Sequence, residues 1–244
     1  MTRVLLCDAD GNLFPSEEPA FDASTRVTNR LMEAVGSPRR FDPRTLRLET
    51  TGLNFRTTAA NLAVDAGRAL SGAELERWVE EEKREVSAHL ARVLRPDAEV
   101  TEPLERLQRR FGLAAVSSSA SSRLDACFRA TGLDSLFPRE RRFSAEGSLP
   151  TPTSKPDPAI YVHALKALRV EPYQALAIED SVPGVHSAVA AGIPTLGNLM
   201  FVPDPERAGR RAELEAAGAF AVVSAWAEAE ELLAASSVPA GVYA

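Results

Sequence analysis

The sequence predicts an α/β protein in which a parallel sheet is covered by helices on both faces, with an all-helical subdomain inserted after the first strand. Two patterns predict it. Short apolar runs alternate with helical patterns along most of the 244 residues. About 100 residues separate the first apolar run from the next convincing one, and most of them have a helical pattern. A composition of 45% hydrophobic and 25% charged residues argues against a disordered or fibrous chain.

The predicted strands are short apolar runs, at 4–7, 113–116, 175–178, 194–196 and 220–223. Helical patterns lie between and after them, at 101–110, 121–131, 157–169, 183–191, 206–217 and 225–235. Gly192 and Gly218 stand where glycine commonly ends a helix. Strands that alternate with helices in this way predict a Rossmann-like core with a parallel sheet.

The insertion explains the distance between the first two strands. A strand–helix–strand unit needs about 30 residues, far fewer than the chain uses here. Residues 22–93 read as helix throughout, with an unbroken stretch over 72–94. Pro15 and Pro96 mark chain turns, which predicts a discontinuous core of residues 1–14 and 96–244 and a helical cap of residues 15–95. We expect the cap to be a lid above the carboxyl end of the sheet, where open α/β folds bind ligands.

Composition also narrows the class of partner. A net charge of −6 argues against nucleic acid as the main partner. No apolar stretch reaches the roughly 18 residues of a membrane-spanning helix. Two cysteines, Cys7 and Cys127, cannot form a disulfide framework, which favours a reducing cytoplasm. The oligomeric state stays open, and a monomer is compatible with the sequence.

Reactive polar residues follow three of the predicted strands: Asp8 and Asp10, Ser117 to Ser119, and Glu179 and Asp180. A further reactive residue, Lys155, stands in a loop. The carboxyl ends of parallel strands meet at one edge of a sheet, so we expect these groups to converge. Carboxylates this close together repel one another unless a cation holds them, and oxygen ligands select a hard ion such as Mg²⁺. A metal beside a lysine and hydroxyl donors suits a phosphoryl group.

Lys155 departs from the composition of the chain. Only three of the 28 basic residues are lysine, and this one lies in a Ser-Lys-Pro loop just before a helical pattern. This placement favours a functional lysine over an exposed one.

The four segments together resemble the haloacid dehalogenase superfamily, in its phosphatase and phosphomutase branch. Residues 8–13, Asp-Ala-Asp-Gly-Asn-Leu, resemble the first motif of that family. Ser117, Lys155 and the Glu179-Asp180 pair resemble the second, third and fourth motifs, in the family's order and spacing. The insertion resembles the helical cap that the family carries between its first and second motifs.

The resemblance implies a role for each matching residue. Asp8 is then the nucleophile, and Asp10 is the general acid to the leaving alcohol and the general base to water. Ser117 holds phosphoryl oxygens, with Ser118 beside it as a candidate substrate contact, and Lys155 balances charge on Asp8 and the phosphate.

The resemblance also implies a metal site. Mg²⁺ is bound by the Asp8 carboxylate, the Asp10 backbone carbonyl and Asp180, with Glu179 as a further ligand or as a partner of one. Gly11 allows the tight turn that exposes both aspartates, and it is a candidate substrate contact.

The cap contributes one candidate. Between residues 24 and 70 there are eight arginines and four acidic residues, an excess of positive charge that suits an anionic substrate. Arg56 follows a glycine loop at 51–54 that resembles the specificity loop of the family, and it is the best cap candidate for substrate binding.

The predicted function is a Mg²⁺-dependent phosphatase of a small phosphorylated metabolite, such as a sugar phosphate or phosphoglycolate. A β-phosphoglucomutase-like enzyme is the main alternative, but Ala20 stands where those mutases carry a histidine. A 2-haloacid dehalogenase is disfavoured because Asp10 supplies an acid–base group that those enzymes lack. A phospho-accepting signalling module or a non-enzymatic binding protein is more remote. Two departures from the family pattern are Asn12, usually threonine, and Pro15, often aspartate in relatives with this cap.

Overall fold

Six parallel strands form one sheet in this computed structural model, which describes residues 2–50 and 53–235. The strands are β1 (Val4–Cys7), β2 (Gly112–Ser117), β3 (Arg142–Ser144), β4 (Ala175–Glu179), β5 (Thr195–Asn198) and β6 (Ala221–Val223). Their order across the sheet is β3-β2-β1-β4-β5-β6. The central strand, β1, pairs with β2 and β4, so Cys7 lies in register with Ala115 and Ile178.

The described chain divides into two compact units. The first contains the sheet and comprises the segments up to Pro15 and from Arg95, and the second is Ser16–Leu94. The second unit contains α1 (Glu17–Ala34), α2 (Pro43–Thr50), α3 (Phe55–Asp65) and α4 (Gly72–Val93).

The inserted unit corrects one expectation. Residues 22–93 are not helical throughout, because the chain leaves the helical conformation after α1 and again after α3. The unbroken stretch over 72–94 is confirmed as α4. Ser71 caps the start of this helix: its hydroxyl accepts from the Glu74 N–H, and the Glu74 carboxylate accepts from the Ser71 N–H.

The sheet unit contains the remaining helices: α5 (Ala98–Gln108), α6 (Ser121–Thr131), α7 (Ala159–Leu168), α8 (Val182–Ala190), α9 (Asp204–Ala216) and α10 (Trp226–Ala235). Val4 and Leu6 pack in one apolar cluster with residues of α7. Successive strand residues point to opposite faces, and Leu5 and Cys7 are fully buried as well. Both faces of the sheet are therefore covered, which confirms the predicted α/β class.

Strand β3 is absent from the prediction. It has three residues, begins with an arginine and pairs only with β2. A run this short carries no periodic signal that could distinguish a strand from a loop. Within the described residues, no helix combines the length and the apolar character needed to cross a bilayer.

Candidate active site

The turn after β1 places Asp8 at the edge of the sheet. The Asp8 N–H donates to the Ile178 carbonyl at 2.9 Å and so extends the pairing of β1 with β4 by one residue. Gly11 follows with φ +78°, a conformation that residues with a side chain rarely adopt. A Cβ at Gly11 would overlap Oδ2 of Asp180, so glycine is required both by the turn and by this close approach.

Asn12 ties this turn to the sheet. Its side-chain amide donates to the carbonyls of Asp8 at 2.9 Å and Ile178 at 3.1 Å, and its oxygen accepts from Nδ2 of Asn198 at 2.8 Å. Trp226 Nε1 donates to the Asn12 carbonyl at 2.9 Å. Asn12 therefore donates hydrogen bonds from the position where the family usually has threonine, and Asn198 holds its amide in this orientation.

Lys155 connects two of the predicted acidic residues. Its ammonium Nζ donates to Oδ1 of Asp8, to Oε1 of Glu179 at 2.6 Å and to the Val116 carbonyl at 2.8 Å. Only 5% of the lysine side chain is exposed. The Tyr161 hydroxyl also donates to Oε1 of Glu179, and Nζ of Lys155 lies 5.4 Å from the centre of the tyrosine ring. The third and fourth predicted motifs therefore meet at the first.

Burial and neighbouring charges both shift the pKa values of Asp8 and Lys155. Burial raises the pKa of Asp8 to about 8, a change that Lys155 opposes and that Glu179 and Asp10 reinforce. Burial lowers the pKa of Lys155, but Asp8 and Glu179 outweigh it and raise that pKa above its ordinary value. Lys155 therefore stays charged, and this ammonium opposes protonation of Asp8.

Three carboxylates at this edge form a group that could hold a metal ion. One oxygen each of Asp8, Glu179 and Asp180 lies within 4.8 Å of the others, and all three residues are buried. Among the buried side chains of the described residues, Oε2 of Glu179 has no hydrogen-bond partner. A Cβ at Gly184 would overlap that oxygen, so α8 approaches it closely only because glycine is present. Buried oxygen ligands with one orphaned atom fit a hard divalent cation such as Mg²⁺.

The serines at the end of β2 and directly after it hold the second aspartate and the lysine loop. Ser117 Oγ lies 3.4 Å from Oδ2 of Asp10 and accepts from the Ser119 N–H at 2.9 Å. Ser119 Oγ donates to the same aspartate oxygen at 2.7 Å. Ser118 Oγ accepts from the Lys155 N–H at 3.1 Å, so this hydroxyl supports the lysine loop, and its contact with a substrate stays a prediction.

Several residues that support the site have no signal in the sequence. Arg123, in the first turn of α6, donates from Nη2 to Oδ1 of Asp10 at 2.9 Å. Tyr161 and Asn198 lie in an apolar helix and at the end of a strand, where each has the pattern of an ordinary core position. Ser119, by contrast, belongs to the serine cluster that the sequence predicts, and its contact with Asp10 is the detail that the pattern does not give.

Arg56 lies in the inserted unit, at the start of α3. Its Nη2 forms an ion pair with Glu76 of the same unit at 2.8 Å, and 46% of its side chain is exposed. The positive excess of residues 24–70 does not extend over the whole unit, because 16–94 contain twelve basic and thirteen acidic residues. A role for Arg56 in substrate binding stays a prediction, and residues 51 and 52 of the glycine loop before it lie outside the described residues.

Comparison with known proteins agrees with this arrangement. Residues 2–192 match the family of haloacid dehalogenase-like hydrolases. The chain is 31% identical over 202 residues to validoxylamine A 7′-phosphate phosphatase of Streptomyces hygroscopicus subsp. limoneus, covering 81% of this chain and 85% of that protein. It is 29% identical over 192 residues to a phosphorylated carbohydrates phosphatase of Thermotoga maritima, covering 78% and 82%.

A solved structure extends the likeness to the whole chain. A HAD family hydrolase of Deinococcus radiodurans, crystallised with bound phosphate and sodium, superimposes with a TM-score of 0.68 and 25% identity. The superposition covers 96% of this chain and 95% of the other.

Proposed function

The chain belongs to the haloacid dehalogenase-like hydrolase family and hydrolyses phosphoric monoesters, and we propose that its substrate is a small phosphorylated carbohydrate, cleaved through an aspartyl-phosphate on Asp8. The observation that carries the proposal is the contact of one buried ammonium, Lys155 Nζ, with both Asp8 and Glu179. Relatives named as phosphatases, one of them of phosphorylated carbohydrates, support the substrate class.

In the first step an oxygen of Asp8 forms a bond to phosphorus. The bond from phosphorus to the leaving oxygen breaks, its electron pair stays on that oxygen, and Asp10 donates the proton that makes it an alcohol. Ser117 and the backbone N–H groups beside it donate to the phosphoryl oxygens, and Lys155 compensates their negative charge. In the second step Asp10 takes a proton from water, which attacks phosphorus and releases phosphate and free Asp8.

Asp8, Glu179, Asp180 and the Asp10 carbonyl are the groups that would hold Mg²⁺. When bound, the ion supplies further positive charge toward the phosphoryl oxygens. Ala20 stands where the mutases carry a histidine, which favours transfer of the phosphoryl group to water.

The test is hydrolysis of p-nitrophenyl phosphate, with and without Mg²⁺, by the wild type and by Asp8→Asn. Asparagine keeps the size of the side chain but has no nucleophilic carboxylate, so we expect turnover to vanish while the circular dichroism spectrum is unchanged. Asp134→Asn, at an exposed position in the same unit, is the matched control and should retain full activity. Activity of Asp8→Asn within tenfold of wild type would refute the nucleophilic role. Conversion of glucose 1-phosphate to the 6-phosphate would indicate the mutase instead.

A panel of phosphorylated metabolites tests the substrate class. We expect the highest kcat/KM with a sugar phosphate. A preference for phosphoglycolate or for nucleotides by at least tenfold would overturn the carbohydrate assignment and leave the phosphatase chemistry intact.

A further inference from the structure

The carboxylate of Asp10 is held on both of its oxygens. Oδ1 accepts from Nη2 of Arg123 at 2.9 Å, and Oδ2 accepts from Oγ of Ser119 at 2.7 Å. Oγ of Ser117 lies 3.4 Å from Oδ2. The Arg123 and Asp10 side chains are 25% and 19% exposed, so the ion pair lies at the border between the buried site and solvent.

The two oxygens of Asp10 therefore have different surroundings. Oδ2 is next to Ser117, which the proposed function places on the phosphoryl group. Oδ1 faces α6, where the guanidinium of Arg123 lies. Rotation about the last bond of an aspartate side chain is soft, so nothing in the residue itself selects which oxygen faces the substrate. A guanidinium has its donors in a rigid plane, and one of them here is fixed on Oδ1.

We propose that Arg123 is a positioning residue that anchors Oδ1 of Asp10, so that Oδ2 faces the leaving-group oxygen and exchanges the proton with it. The proposal rests on the proposed function, because it specifies which oxygen of the general acid works. As the bond from phosphorus to the leaving oxygen breaks, its electron pair takes up the proton from Oδ2, and a new bond joins Asp8 to phosphorus. Arg123 touches neither the phosphoryl group nor the leaving group in this step.

A residue that orients the general acid matters most when the leaving group needs a proton. Phenol, with a pKa near 10 like the tyrosine side chain, is a poorer leaving group than p-nitrophenol, whose anion is stabilised by the nitro group. Phenyl phosphate and p-nitrophenyl phosphate have nearly the same shape, so a loss of binding or a general loosening of the site lowers kcat/KM equally for both. A misplaced acid lowers it more for phenyl phosphate.

The experiment measures kcat/KM for both esters with the wild type, Arg123→Gln and Arg123→Lys, in full-length protein with Mg²⁺. General acids contribute about 10²–10⁴-fold, so for Arg123→Gln we expect a loss on phenyl phosphate on the order of tenfold greater than on p-nitrophenyl phosphate. Arg123→Lys keeps the charge and should restore part of that difference. Arg129→Gln, at an exposed position of the same helix, is the control and should lower neither value.

Each outcome decides the assignment. Equal losses on the two esters, or no loss, in Arg123→Gln would overturn it while leaving the phosphatase intact. If Arg123→Gln does not fold, the same comparison with Arg123→Lys decides. The displaced donor of the lysine should still lower kcat/KM for phenyl phosphate more than kcat/KM for p-nitrophenyl phosphate. A wild type that hydrolyses neither ester would overturn the proposed function and this assignment with it.

Discussion

Replacing Tyr161 by phenylalanine tests the buried network beneath the site. The Tyr161 ring is fully buried in α7, and its hydroxyl donates to Oε1 of Glu179, which also accepts from Lys155. Burial, reinforced by the charge of Glu179, raises the pKa of the hydroxyl well above its ordinary value, so it stays protonated and remains a donor. Tyr161→Phe removes this one hydrogen bond and leaves the ring and its packing in place.

The expected cost follows from the type of hydrogen bond that is lost. A hydrogen bond to a charged group contributes about 1.5–3 kcal/mol, and a buried acceptor left with fewer donors adds to the loss. Oε1 keeps its contact with Lys155, and phenylalanine creates almost no cavity, so we expect the lower end, about 1.5 kcal/mol. For a protein of 150–250 residues each kcal/mol lowers Tm by about 2–4 °C, so the expected decrease in Tm is roughly 3–6 °C.

The assay is urea unfolding followed by circular dichroism, with thermal unfolding as a second measurement. Tyr173→Phe is the matched control, because Tyr173 is 62% exposed, and it should change the free energy of unfolding by less than about 0.5 kcal/mol. A decrease for Tyr161→Phe no larger than that of the control would show that the hydroxyl contributes nothing to holding Glu179, and the reasoning about this network would be refuted.

Three further predictions concern single features of the chain. Gly184→Ala should lower Tm and weaken the Mg²⁺ dependence of activity, because the added Cβ would displace Glu179. Gly209→Ala is the control: the space around this glycine is open, so the variant should raise the free energy of unfolding by about 0.5–1 kcal/mol. Equal Tm values for the two variants would contradict this prediction. Burial raises the pKa of both cysteines, so the reactive thiolate is scarce in the native protein. At pH 8 the native protein should therefore react with Ellman's reagent far more slowly than the protein denatured in guanidinium. Rapid labelling of the native protein would show that a thiol is accessible. Arg56→Gln should raise KM for the preferred sugar phosphate severalfold and leave kcat/KM for p-nitrophenyl phosphate unchanged. Arg44→Gln, at an exposed position, is the control and should change neither value. An unaltered KM in Arg56→Gln would refute the role of Arg56 in substrate binding.

The parts of the fold that the sequence predicts are those with a local signal. Strands β1, β2 and β4 are continuous apolar runs that end in polar residues, so both their positions and the residues at their ends follow from pattern alone. The contacts that orient the site have no such signal, because they join distant positions. Asn198 meets Asn12 across 186 residues, and Arg123 meets Asp10 across 113. Only the register of the sheet and the start of α6 bring these pairs together.

The same limit explains the charge of the inserted unit. The arginine excess of residues 24–70 is a real feature of that segment, but folding brings α4 against α1, with Arg26 and Arg30 in ion pairs with Glu85 and Glu81. A count of charges within residues 24–70 misses this neutralisation, because the acidic partners lie 59 and 51 positions later in the chain. Exposed pairs of this kind contribute little stability, and their main effect here is to neutralise part of the positive charge of that segment.

The charges at the edge of the sheet support a divalent ion independently of the family. Among the side chains described there, Asp10 is paired with Arg123, and Lys155 is shared between Asp8 and Glu179. With Asp180 as the third buried carboxylate, this cluster brings three acids together beside one lysine. Crowding buried carboxylates is costly, and burial already raises the pKa of Asp8. A divalent cation at these carboxylates would reduce this cost and favour the ionised form of Asp8 that the proposed attack on phosphorus requires.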